Sequence, residues 1–317
     1  MKRPLLIFVV LAFALSWAAA LPLWFAGGLS SPLMQPLGAL MMFTPSLGVL
    51  GVWAVKRTPF RQWARETGLT LGERRGRTAV LVLTAWLGVP LLVFLAMGIS
   101  AAVGLVTLDL EHLSLLRAGL ESSGGGQAPA DLTTLAIVQV VLAVVAGPVL
   151  NAIPVLGEEW GWRGWLVPRL VGKDGVLAGL LLSGFIWGIW HAPLTMLGYN
   201  YPRLGSWAAL VFIAFCVPAG VVMGWLRLRT GSVWPAVVAH GSLNAIAGVA
   251  LLAGDAADPP NELLAGITGV VGWLLLAIIG AALLRFSPVR PPQPAGPAET
   301  PGPEEPAEPA QTAEPRI

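Results

Sequence analysis

The run TAVLVLTAWLGVPLLVFLAMGISAAVGLV, residues 78–106, contains no charged side chain. About 20 apolar residues suffice to cross a bilayer as a helix, so this run reads as a membrane span with length to spare. Working outward, seven further apolar stretches lie at 5–25, 33–55, 132–153, 176–195, 207–226, 232–253 and 263–284. The 317-residue chain is 56% hydrophobic and 11% charged, which excludes an ordinary soluble domain. The expected fold class is all-α: a polytopic membrane helix bundle of about eight transmembrane helices.

Charge placement orients this bundle, because cytoplasmic loops retain Lys and Arg. With the N-terminus inside, 17 of the 19 basic residues fall on the inner side: Lys2, Arg3, seven between 56 and 77, Arg163, Arg169, Lys173, Arg227, Arg229, Arg285, Arg290 and Arg316. Only Arg117 and Arg203 are left outside, among Asp109, Glu111, Asp131, Asp255, Asp258 and Glu262. Both termini are therefore expected in the cytoplasm. Residues 1–20 also have the outline of a secretory signal, with Lys2-Arg3 before an apolar run ending in Ala18-Ala19-Ala20. That run continues to Phe25, and removing it would leave seven spans at odds with the charge pattern, so a retained first helix is expected.

The transmembrane domain is expected over 1–286. Residues 287–317, rich in Pro, Ala and Glu and without hydrophobic periodicity, read as a disordered cytoplasmic tail. The basic loop 56–77, which carries Trp63, has two readings: a segment along the anionic inner leaflet or a solvated topology anchor. Cys216, alone in the sixth span, rules out an intrachain disulfide and reads as a small packing residue. No internal repeat of broken helices points to a transporter.

Ionisable groups inside apolar segments are costly, and their default reading is functional. Three sets stand out. Glu158 and Glu159 lie in GEEWGWR, residues 157–163, where Glu159 and Arg163 are one helical turn apart and can pair. This leaves Glu158 to face elsewhere as the working carboxylate. His191 ends the apolar run 180–191 with Trp187 one turn earlier; a neutral imidazole both donates and accepts, which suits proton transfer or metal ligation. His240 and Asn244 repeat that spacing on the seventh span and offer two donors for a developing oxyanion. The bland alternatives are a salt-bridged interfacial helix and two packed histidines. His112, in an outer loop, reads as surface.

The order Glu158-Glu159-x-x-x-Arg163, Trp187-x-x-x-His191 and His240-x-x-x-Asn244 across eight helices resembles the CPBP intramembrane proteases. These include the CAAX prenyl endopeptidases and bacteriocin-processing relatives. The resemblance covers about 130–250 and departs from the usual pattern at Trp187, where the family generally has Phe. It implies a membrane endopeptidase in which Glu158 and His191 activate water, His240 and Asn244 stabilise the oxyanion, and Glu159 and Arg163 position the helix, with Trp187 as aromatic packing. No cofactor is needed by that scheme. Zinc on Glu158, His191 and His240 is the metal alternative, less favoured because no His-Glu-x-x-His pair fixes two ligands on one helix. The implied partners are a peptide or protein substrate at the membrane, lipidated or not, and the bilayer itself, with no nucleic acid. Abundant Arg, Ala, Gly and Pro suggest a bacterial chain, hence a multi-pass protein of the plasma membrane. A proton-coupled transporter and a silent scaffold or immunity protein are the rival functions.

Straight helices would not level these residues. At ~1.5 Å per residue, Glu158 lies about 16 Å from Arg169, His240 about 16 Å from Arg229, and His191 about 22 Å from Val176. Residues 132–170 are also too long for one straight span, and Pro148, Pro154 and Gly157 offer breaks.

Overall fold

The computed structural model describes residues 2–122 and 127–291. Residues 292–317, most of the expected tail, lie outside the described residues. Each of the eight apolar segments contains a helix, the last of them starting only at Val270. The helices are α1 (Lys2–Ala20), α2 (Met34–Lys56), α3 (Phe60–Glu66), α4 (Arg75–Ala102), α5 (Ser114–Ser122), α6 (Leu132–Val145), α7 (Gly147–Leu150), α8 (Ala152–Glu159), α9 (Val167–Asp174), α10 (Val176–Trp190), α11 (Ala192–Thr195), α12 (Ala208–Thr230), α13 (Trp234–Leu251) and α14 (Val270–Phe286). No strand occurs among the described residues, as expected of an all-α membrane bundle. Four segments are long and apolar enough to cross a membrane: Arg3–Trp24, Met34–Lys56, Arg75–Ala102 and Gly205–Thr230. Leu132–Val145, Val176–Trp190 and Val270–Phe286 are shorter apolar helices.

The main pairings are α1 with α2, α10 with α12, α4 with α13 and α12 with α14. Lipid tails are as apolar as leucine, so close packing between helices needs small residues that let backbones approach. Two such stripes fix the interior. On α10, Gly184 and Gly188 face α12: a Cβ at Gly188 would stand 2.7 Å from Ile213 Cα, and one at Gly220 would stand 2.8 Å from Gly184 Cα. Gly157 and Gly161 likewise face the α2 backbone, where a Cβ at Gly157 would stand 2.6 Å from the Met42 carbonyl and one at Gly161 would collide with Pro45. The Ser46 hydroxyl donates to the Gly157 carbonyl at 2.6 Å across the same contact.

The long fourth segment is broken, as its prolines predict. It changes direction at Ala146 and Asn151, and Pro148 and Pro154 come within three residues of those points, where a missing N–H and a ring clash cost least. After Glu159 the backbone widens into a π-helical turn, Trp160–Leu166, before resuming as α9. An extra residue in a turn rotates the next stretch of helix by about 100°, so the two sides of this turn present different faces to the core. Around it Trp162, Trp165, Trp187 and Trp190 are fully buried, and Phe8 of α1 stacks on Trp165 with centroids 4.6 Å apart.

In the basic loop 56–77 Trp63 is buried, with the Arg169 guanidinium 5.7 Å from its ring, while Arg57, Arg61 and Arg65 are exposed. The loop folds back against the inner end of the bundle because its backbone has partners there. Val233 N–H donates to the Gly68 carbonyl at 2.8 Å, the Trp234 indole to Leu69 at 3.0 Å, and Arg227 to Glu66 at 3.1 Å. On the outer side, 107–109 and 253–255 are stitched by Asp109 N–H to Ala253 at 3.0 Å and Asp255 N–H to Thr107 at 2.9 Å. His112 is exposed there and Cys216 is buried, as expected.

The glycine contacts make a signed prediction for thermal unfolding in detergent. Gly220→Ala forces two backbones apart and should cost about 1–3 kcal/mol. Gly88→Ala in α4, where a Cβ meets nothing within 4 Å, should be neutral or stabilise by up to about 1 kcal/mol.

Candidate active site

Glu158 and Glu159 end α8, and both are buried. Consecutive helical residues diverge by about 100°, so the two carboxylates meet different neighbours. Glu159 takes the charged partners. Arg163 Nη1 donates to its Oε1 at 2.7 Å, and His240 Nδ1 lies 2.9 Å from the same oxygen. The i, i+4 pair expected from spacing is therefore present, but it carries a third member from α13. Glu158 takes a neutral donor instead, the Trp187 indole N–H, at 2.9 Å from Oε2.

The histidines are oriented by what their Nδ1 atoms touch. His191 caps α10 and its Nδ1 lies 2.9 Å from the Trp187 carbonyl. A carbonyl only accepts, so Nδ1 carries the proton and Nε2 keeps the lone pair. On His240 the partner is a carboxylate already bound by Arg163, so Nδ1 again donates. Its Nε2 is an acceptor in the neutral ring and a donor only in the imidazolium. The His191 and His240 rings pack against Trp187 at 5.5 and 5.3 Å between centroids. The breaks in 146–166 thus overcome the level mismatch of straight helices.

Arg163 is buried with its guanidinium carbon 4.1 Å from the Trp187 ring centroid, a cation–π contact in a dry setting. Its Nε and Nη2, and Glu159 Oε2, are buried without a hydrogen-bond partner among the described residues. Asn244 differs from the rest. It is exposed, one turn beyond His240, and its side chain makes no hydrogen bond among the described residues. The carboxylates and histidines are therefore buried, whereas Asn244 is exposed.

Among the described residues, no three His, Cys, Asp or Glu side chains converge to hold a metal ion. The carboxylate touching His240 is Glu159, whereas the expected zinc set has Glu158. Sequence reading missed that Trp187 donates to Glu158: spacing put this ring one turn from His191 but could not show which way its N–H points.

Comparison with known proteins bears on this arrangement directly. Residues 133–246 match the family model described as Type II CAAX prenyl endopeptidase Rce1-like, an interval that contains all three motifs. The match is confined to this motif-bearing core. A curated relative, CAAX prenyl protease 2 of Methanococcus maripaludis, is 28% identical over 92 residues, covering 27% of this chain. The match spans 34% of that relative's length. Both matches support, over the core, the family expectation drawn from the motifs, and the four long apolar helices are those of a membrane protein.

The different settings of His240 and Asn244 separate two substitutions in thermal unfolding. His240→Ala strips a donor from buried Glu159 and should cost about 1–3 kcal/mol. Asn244→Ala, at an exposed side chain without partners, should change stability by less than about 0.5 kcal/mol.

Proposed function

We propose that this protein is an intramembrane endopeptidase of the plasma membrane, with its catalytic apparatus in residues 133–246 of a transmembrane domain spanning 1–286. The reading is carried by one observation: of two adjacent buried carboxylates, Glu159 is consumed by Arg163 and His240, whereas Glu158 is held only by an indole. A buried carboxylate whose hydrogen bond comes from a neutral donor is suited to act as a general base.

In this scheme a water is deprotonated by Glu158, assisted by the Nε2 lone pair of His191, and attacks the substrate carbonyl. The new C–O bond leaves negative charge on the carbonyl oxygen, which His240 Nε2–H and the Asn244 amide stabilise. Because His240 Nδ1 donates to Glu159, its Nε2 can donate only as imidazolium, and the Glu159 carboxylate compensates that charge. The abstracted proton then passes to the leaving amine as the C–N bond breaks. Asn244, which is exposed, is positioned to meet an arriving peptide. Zinc on Glu158, His191 and His240 would supply Lewis-acid chemistry instead; those side chains do not converge as a ligand cluster among the described residues, which favours the glutamate scheme.

The substrate is proposed to be a membrane-associated peptide or protein, and the relative named as a prenyl protease makes a prenylated peptide the first to try. The test is cleavage of a reporter peptide library, prenylated and plain, by the purified protein and its Glu158→Gln variant. Glu158→Gln should lower kcat/KM by about 10²–10⁴-fold, with wild-type activity insensitive to chelator. Equal cleavage by both proteins sinks the glutamate base; loss on chelation that zinc restores establishes the metal. A proton-coupled transporter would instead show pH-driven flux in proteoliposomes without cleavage, and a silent scaffold would keep its phenotype in Glu158→Gln.

A further inference from the structure

We infer that Trp187 is a positioning residue, through which both carboxylates and both histidines are registered to one another; this rests on the peptidase reading above. Four different parts of the residue are engaged. Its indole N–H donates to Glu158 Oε2 at 2.9 Å. Its carbonyl accepts from His191 Nδ1 at 2.9 Å. Its ring face covers the Arg163 guanidinium at 4.1 Å. Its ring also packs near-perpendicular to His240, at 75° and 5.3 Å.

Each contact has a consequence for the chemistry. The N–H occupies one oxygen of Glu158 and fixes the carboxylate plane, which leaves Oε1 for the attacking water. The carbonyl fixes the tautomer that directs the His191 lone pair outward. The ring face covers a guanidinium whose Nε and Nη2 lack hydrogen-bond partners among the described residues, and indole is the best of the aromatic faces for a cation. Arg163 in turn holds Glu159, and Glu159 holds His240. A phenyl ring at 187 would keep the backbone carbonyl and much of the packing while losing the N–H and weakening the cation–π contact.

The N–H can be removed almost alone. In full-length purified protein, Trp187 is replaced by Phe, or by benzothienylalanine, in which sulfur stands where the indole N–H was. Hydrogen bonds to charged groups support an expected fall in kcat of about 10- to 100-fold in both variants. KM should change less than about twofold, because Trp187 is buried. A benzothienylalanine variant with wild-type kcat overturns the proposal, since ring shape alone would then suffice. A second measurement does not depend on turnover. In protein labelled with ¹⁵N-tryptophan, the indole resonance that vanishes in Trp187→Phe should shift upfield in Glu158→Ala. An unmoved resonance overturns the proposal by removing the bond. A wild type that cleaves nothing overturns the peptidase reading, and a displaced indole resonance in the same sample marks that failure as distinct from the loss of this contact.

Discussion

The structure depends on one buried ionic cluster: the Glu159 carboxylate between Arg163 and His240. Taking a carboxylate and a guanidinium out of water costs several kcal/mol per ion, and only close, multiple partners offset it. Here the partners come from the π-helical turn and from α13, so satisfying Glu159 requires the broken fourth segment to sit against the seventh apolar segment. The cation is then closed off by a ring from α10. Three helices are held in register by a charge that none of them could bury alone.

Apolar packing supplies the proximity that this cluster needs. In lipid there is little hydrophobic gain from pressing helices together, so close approach is set by residues without side chains. Gly184, Gly188 and Gly220 bring α10 onto α12, and Gly157 and Gly161 bring the acidic helix onto α2. The prolines then bend the chain to the depth of the histidines. Electrostatics and sterics act on the same few turns, which explains why Glu158, left over from the ionic cluster, ends in a dry pocket with a single neutral donor.

Much of this was legible in the sequence, and the exceptions have physical reasons. Membrane spans are written in runs of apolar residues, and each of the eight segments contains a helix, four of them long and apolar enough to cross a membrane. The Glu159–Arg163 pair came from helical spacing alone, and the breaks at Ala146 and Asn151 from proline chemistry, whereas the π-helical turn Trp160–Leu166 has no proline and was not foreseen. Spacing cannot encode side-chain direction across helices. The Trp187 indole reaching Glu158, and His240 reaching Glu159 rather than Glu158, depend on how α8, α10 and α13 cross. The burial of Trp63 escaped for a related reason: its ring joins the apolar core beside an arginine distant in sequence. Asn244 shared its motif with His240 yet is exposed, one turn of helix beyond the buried imidazole.

The claim that Glu159 is the buried structural partner, freeing Glu158, is tested most directly by a double-mutant cycle. Glu159→Gln, Arg163→Met and the double variant would be compared by reversible unfolding in micelles. An ionic cluster in a dry interior predicts that each single change costs about 3–5 kcal/mol, because it strands the other charge. The double change should then cost less than the sum by at least about 1 kcal/mol. Additive losses would mean that the two side chains do not depend on each other, and would contradict the account.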